Sequence, residues 1–213
     1  MKRRVGVLIS GRGSNMAALL DAARAPDYPA EIVLVVCNQP HAPGIALAAA
    51  SGVAATVIDH RRFGTDRAAH EAAIDAALRA AGVEIVCLAG YLRLLTPFLV
   101  TAWQGRMLNI HPSLLPAFPG LHTHASALAA GVKLHGCTVH LVTETMDEGP
   151  ILAQAAVPVL PGDTESSLAA RVLVQEHRLY PAALAGFAAG RPGKAAPAHA
   201  ALANPLPAAA GVA

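Results

Sequence analysis

Residues 5–16 read Val5-Gly6-Val7-Leu8-Ile9-Ser10-Gly11-Arg12-Gly13-Ser14-Asn15-Met16. Val5 to Ser10 is a short apolar run without polar alternation, the pattern of a strand buried on both faces. Two glycines then break the run, and Met16 to Arg24 has helical spacing. A buried strand, a glycine turn and a helix in succession open a parallel α/β unit.

The same alternation continues outward. Ile32 to Asn38 reads as a second buried strand, with a helix after Pro43, and Ala54 to Asp59 as a third. Asp66 to Ala81 carries Ala69, Ile74, Ala77 and Leu78 at helical spacing, with Gly82 placed to end the helix. Glu84 to Ala89 is a fourth strand. Thr96-Pro97 supplies an N-cap and a first-turn proline for the next helix, and Met107 to Ile110 is a fifth strand. Beyond the proline-rich stretch Pro112 to Gly120 and a short helix over Leu121 to Ala130 the pattern changes. Gly136 to Thr143 and Ile151 to Val159 are strands joined by a seven-residue polar link, which predicts an antiparallel pair appended to the sheet. Thr164 caps a last helix with Glu165 in its first turn, predicted to run to about Tyr180, where Pro181 interrupts it. The predicted fold class is therefore α/β: a doubly wound, mostly parallel sheet with an antiparallel strand addition in the C-terminal half. From Arg191 the chain is Ala, Pro and Gly with few large apolar residues, so residues 191–213 are expected to be a disordered tail.

Composition narrows the function classes. The 213 residues carry a formal charge of +2 with 14% charged residues, which provides no basic stripe for a nucleic-acid backbone. No apolar run reaches the roughly 20 residues of a membrane span, and the run after Met1-Lys2-Arg3-Arg4 is too short for a signal-peptide core. Cys37, Cys87 and Cys137 each lie in an apolar run and form no Cys-x-x-Cys pair, as expected of small core residues in a reducing, cytoplasmic compartment.

Three segments carry chemistry. Ser10 to Asn15 sits between strand and helix, where backbone N–H groups make an anion site; a tight turn with Ser14 as N-cap is the simpler reading. Met16 replaces the third glycine of a dinucleotide fingerprint, and the second strand ends in Asn38 rather than an acid, so a phosphomonoester fits better than a dinucleotide. Residues two apart on a strand share a face, so Asn109 and His111 point the same way with Ile110 opposite. Pro112 ends that strand and places both at its carboxyl end, where open parallel sheets bind ligands. An amide beside an imidazole can stabilise an oxyanion and move a proton. Asp147, in Thr143 to Pro150, is either part of an acidic turn or a carboxylate partner for a histidine. His122, His124, His135 and His140 fall in no established ligand motif, so no metal site is expected. Leu92-Arg93-Leu94-Leu95 reads as ordinary core with one solvated arginine.

Taken together, VLISGRGSN, IVCLAGYLRLLTP, GRMLNIHPSLLPAFPGLHTHASAL, HGCTVHLVTETMDEGPILAQAAVPV and VQEHRLYPAAL resemble the phosphoribosylglycinamide formyltransferase family, in order and spacing, over roughly residues 5 to 190. The resemblance implies a formyltransferase-like domain over 1–190, with a phosphate-binding N-terminal half and a folate-binding, catalytic C-terminal half. It implies Asn109, His111 and Asp147 as the catalytic trio. Gly13, Ser14 and Asn15 match the family's substrate-phosphate loop and Glu176 its substrate-ribose carboxylate. Arg67 (or Asp66, one residue away), Leu92, Arg93, Leu94, Leu95 and Asn109 match its folate contacts. It further implies 10-formyltetrahydrofolate as a co-substrate with no bound cofactor or metal. The expected partners are small molecules, with neither nucleic acid nor membrane. Another formyl-group enzyme, such as a formyltetrahydrofolate hydrolase, and a non-catalytic nucleotide-binding module are the alternatives.

Overall fold

The computed structural model describes residues 1–190; the expectation for 191–213 lies outside the described residues. The elements are β1 (Arg3–Ile9), α1 (Ser14–Ala23), β2 (Ala30–Cys37), α2 (Pro43–Ala50), β3 (Ala55–Val57), a short 3₁₀ turn (His60–Phe63), α3 (Arg67–Ala80), β4 (Ile85–Leu88), α4 (Pro97–Ala102), β5 (Met107–His111), α5 (Thr123–Ala129), β6 (Leu134–Leu141), β7 (Ile151–Pro158) and α6 (Glu165–Ala188). One seven-stranded sheet runs in the order β3-β2-β1-β4-β5-β6-β7. The first five strands are parallel; β6 is antiparallel to β5 and to β7. The doubly wound sheet with an antiparallel addition is therefore the observed architecture.

Alternation along the strands divides the core between two faces. Val5, Val7 and Ile9 of β1 pack with Met16 and Leu19 of α1 and with Leu168, Val172 and Leu184 of α6. Leu8 points to the other face, among Val86, Leu88 and Met107 and against Ile74 and Leu78 of α3 and Leu99 of α4. The three cysteines are buried and free, as expected.

The last helix departs from expectation. It runs through Pro181 to Ala188 rather than stopping at Tyr180. An interior proline costs about 3 kcal/mol or more, because it removes one ladder bond and crowds the carbonyl four residues back. Against that stand Leu179, Tyr180, Ala183 and Leu184, all at most 2% exposed on the sheet. Each large apolar side chain so buried contributes about 1.5–3 kcal/mol, and together they outweigh the proline. The Tyr180 hydroxyl also lies 3.1 Å from the carbonyls of Leu88 and Leu108, and Tyr28 donates to the Pro181 carbonyl at 2.7 Å. Burial on the sheet thus overrides the local breaker. The N-terminus of the same helix is as expected, with Thr164 and Ser167 forming a reciprocal cap.

Candidate active site

β5 presents Asn109 and His111 on the face opposite Leu108 and Ile110, which lie in the α1/α6 core. Pairing with β6 sets Asn109 opposite His140 and His111 opposite Thr138. After β6 the chain loops back, and Asp147 adopts a left-handed φ of 59°. The loop closes because residue 149 is glycine: a Cβ there would collide with the Leu141 carbonyl.

Three side chains meet at this edge. The Asp147 carboxylate is 3.4 Å from His111 Nδ1 and 3.7 Å from His140 Nε2, and it accepts the Gly120 N–H at 2.8 Å. His111 Nε2 donates to the Phe118 carbonyl at 3.0 Å, so both ring nitrogens face acceptors. The 112–122 loop that carries Phe118 is pinned to the hairpin: Thr138 Oγ1 donates to the Ser113 carbonyl at 2.7 Å, and Gln154 donates to the Leu115 carbonyl at 2.8 Å.

His140 was passed over in the sequence, where it appeared only as a metal-ligand candidate. Its Nδ1 donates to the Leu141 carbonyl at 2.9 Å. That leaves the Nε2 lone pair to accept from Asn109 Nδ2 at 3.2 Å, which fixes the amide's orientation. Burial holds the His140 pKa below the usual imidazole value, although the Leu141 carbonyl and Asp147 pull it upward. The available signal was period-2 alternation along β6 combined with the β5/β6 register, which the sequence alone does not specify.

A second cluster lies at the end of β1. The α1 N-cap is Gly13, at φ 74°, and not Ser14, which is the first helical residue. A left-handed turn is needed there, and glycine takes it without penalty. Among the described residues no side chain caps α1 and no acid lies in its first turn, an arrangement able to hold an anion. Gly44 of α2 packs on the loop, and a Cβ at Gly13 would come within 2.9 Å of the Met16 methyl and 3.2 Å of Gly44 Cα. Asn15, 9% exposed, donates to Glu176 at 2.6 Å, and its Oδ1 has no partner among the described residues. Burial raises the Glu176 pKa, and the Asn15 bond partly offsets this. Gly13, Ser14, Asn15 and Glu176 are thus one cluster, although 161 positions separate Asn15 from Glu176.

Residues 92–95 correct the reading of that stretch as core. Leu92 and Leu94 are 75% and 62% exposed. Ser10 Oγ accepts the Leu92 N–H at 2.8 Å, and the Arg67 guanidinium donates to the Leu94 carbonyl. Asp66 is occupied as the N-cap of α3, accepting from Ala69 N at 2.9 Å, so Arg67 is the residue that reaches this segment. Arg93 makes no hydrogen bond among the described residues; its charge lies beside Tyr91 and His70. The clusters adjoin, since β1 neighbours β4, β4 neighbours β5, and Ser10 N donates to the Gly90 carbonyl at 3.1 Å.

An amide, an imidazole and a carboxylate converging at the carboxyl edge of a doubly wound sheet, beside a glycine loop at an uncapped helix N-terminus, fit a group-transfer enzyme acting at a carbonyl-type carbon. Residues 3–184 match the formyl transferase family, and the chain belongs to it. It is 42% identical over 185 residues to phosphoribosylglycinamide formyltransferase of Escherichia coli K12, covering 87% of each chain. It is 49% identical over 191 residues to a trifunctional purine biosynthetic protein of Drosophila pseudoobscura, covering 89% of this chain and 14% of that much longer relative. The crystal structure of phosphoribosylglycinamide formyltransferase from Brucella melitensis superposes with a TM-score of 0.85 at 60% identity, covering 89% of this chain and 97% of the other. Among the described residues, no helix is long and apolar enough to cross a membrane.

Proposed function

We propose that this chain transfers the formyl group of 10-formyltetrahydrofolate to the amine of phosphoribosylglycinamide, a step of purine synthesis, in the cytoplasm. The observation that carries the reading is the convergence of Asn109, His111 and Asp147 next to the Gly13–Asn15 loop. The loop's free N–H groups hold the substrate phosphate, and Glu176, oriented by Asn15, takes the ribose hydroxyls. Arg67 and Leu92 to Leu95 receive the folate, the two exposed leucines supplying apolar contact. The neutral amine attacks the formyl carbon. A C–N bond forms as the carbonyl pair moves to oxygen, and that oxyanion takes a hydrogen bond from the Asn109 Nδ2–H not used by His140 and one from imidazolium His111, whose Nε2–H turns to it from the Phe118 carbonyl. Asp147 supports the charged ring. Collapse breaks the bond to folate N10, which leaves with a proton, and tetrahydrofolate departs as the amine loses one. The folate is consumed as a co-substrate, so the site needs no resident cofactor.

Purified protein with 10-formyltetrahydrofolate, assayed with and without phosphoribosylglycinamide, tests this. The expected result is tetrahydrofolate release that depends on the amine. Release of formate without the amine would make the chain a hydrolase, and binding without turnover would make it a non-catalytic module.

A further inference from the structure

The Leu92–Leu95 segment lies between β4 and α4, has no regular structure and exposes two leucines, so its shape must be imposed from outside. Three anchors do this. Ser10 Oγ takes the Leu92 N–H at 2.8 Å, the Arg67 guanidinium takes the Leu94 carbonyl, and Glu71 takes Thr96. The third anchor is unusual. Glu71 is 2% exposed on α3, one turn beyond Arg67. One of its oxygens accepts the Thr96 N–H at 2.7 Å and the other accepts the Thr96 hydroxyl at 2.5 Å. Thr96 stands at the N-cap position of α4, where its hydroxyl would ordinarily cap the helix, yet α4 has no side-chain cap. A local rule is broken and a carboxylate is kept out of water, both for one contact. Departures of this kind mark positions under functional constraint.

We propose that Glu71 is a positioning residue for the folate co-substrate, acting through Thr96 to hold the Leu92–Leu95 segment in its binding shape. It does not touch the reacting atoms. With Arg67, four residues earlier on the same helix face, it makes α3 a two-point clamp on the segment. This rests on the proposal above that the segment receives the folate.

The test is steady-state kinetics on Glu71→Ala, Glu71→Gln, Thr96→Val and the Glu71→Ala/Thr96→Val double variant, with Leu94→Asp as a separate probe of the segment. Glu71→Ala should raise KM for 10-formyltetrahydrofolate about tenfold, the scale of losing a charge-assisted pair of hydrogen bonds, while KM for phosphoribosylglycinamide stays within about twofold. Glu71→Gln keeps an acceptor for the Thr96 N–H and a donor for its hydroxyl, so it should lie near wild type. The double variant should be no worse than Glu71→Ala alone, because both changes break one link. Equal rises in both KM values, or additive effects of the two single changes, would overturn the clamp. If Leu94→Asp leaves the folate KM unchanged, the folate assignment of the segment fails. If it raises that KM while Glu71→Ala does not, only the positioning role fails. Should Glu71→Ala not fold, Thr96→Val, which loses the hydroxyl bond but keeps the backbone one, should raise the folate KM in the same direction by a smaller factor, and an equal rise in both KM values overturns the clamp there too.

Discussion

At Asp147 the backbone is left-handed, a conformation that Asp and Asn tolerate far better than other residues with a Cβ. This makes Asp147→Asn the informative change, because it keeps the turn and the acceptor for Gly120 N while removing the charge from beside His111. Turnover should fall about a hundredfold, the scale of a disabled acid/base group, with the melting temperature nearly unchanged. Turnover close to wild type in the folded variant would reduce Asp147 to a turn residue. His140 permits a finer test. Because it orients Asn109, His140→Ala and Asn109→Ala should be strongly non-additive in kcat, with the double variant no slower than Asn109→Ala alone. Additive losses, measured with saturating substrates, would separate the two residues. Asn109 and His111 were legible in the sequence because period-2 alternation and Pro112 fix their face and their place at a strand end. His140 was not, because its role depends on lying opposite a residue 31 positions earlier, and register across an antiparallel pair is a tertiary fact.

Among the elements, the β1–α1 turn separates what glycine does in two nearby places. Gly11 has open space where a Cβ would go, whereas Gly13 combines a φ of 74° with neighbours at 2.9 and 3.2 Å. Gly11→Ala should leave the melting temperature unchanged. Gly13→Ala should cost about 1–2 kcal/mol from the left-handed backbone alone and raise KM for phosphoribosylglycinamide more than for the folate. Equal effects on both KM values would move the phosphate elsewhere. The sequence located this loop and offered Ser14 as its cap in one of two readings, since a serine before a helix is the commoner cap and φ cannot be read from residue type alone. Pro181 and Thr96 both show tertiary contacts overriding a local rule, although Thr96 does stand at the N-cap of α4 with Pro97 in the first turn, as expected. Local rules placed a helix stop at one and a side-chain cap at the other. Sheet packing by Tyr180 and Leu184 overrode the first, and the buried Glu71 carboxylate redirected the second.

For the whole molecule, parallel strands and the C-terminal hairpin were legible from apolar runs and link lengths. The strand order, with β1 between β2 and β4, was not, because it depends on which face each crossover helix takes. That order brings the Gly13–Asn15 loop, the Leu92–Leu95 segment and Asn109 to one edge. Several histidines lie buried or half-buried in the fold. His70, His124, His135, His140 and His177 all have pKa values lowered chiefly by burial, His135 to about 4. The charges facing them do not reverse this: His124 and His111 oppose protonation of His135, and Glu165 and Asp147 only partly favour it at His124 and His140. Below the ordinary imidazole value near 6.5 the unfolded chain binds protons that the folded one refuses, so stability is complete above that pH and is lost as pH falls toward 4. Glu176 works the other way: its raised pKa means the folded state keeps a proton above the usual carboxylate range, and that contribution is lost as pH rises. One carboxyl stands against five imidazoles, each proton being linked to about 1.4 kcal/mol per pH unit at most, so the histidines set the sign. The melting temperature should therefore fall steadily from pH 7 to pH 5, and His135→Gln should flatten that fall by removing a ring that burial holds at about 4 while keeping a hydrogen-bonding side chain beside His124. Calorimetry of both proteins across that range decides it. A wild-type melting temperature independent of pH, or a variant as steep as wild type, would mean these rings take up protons inside the fold as readily as outside it.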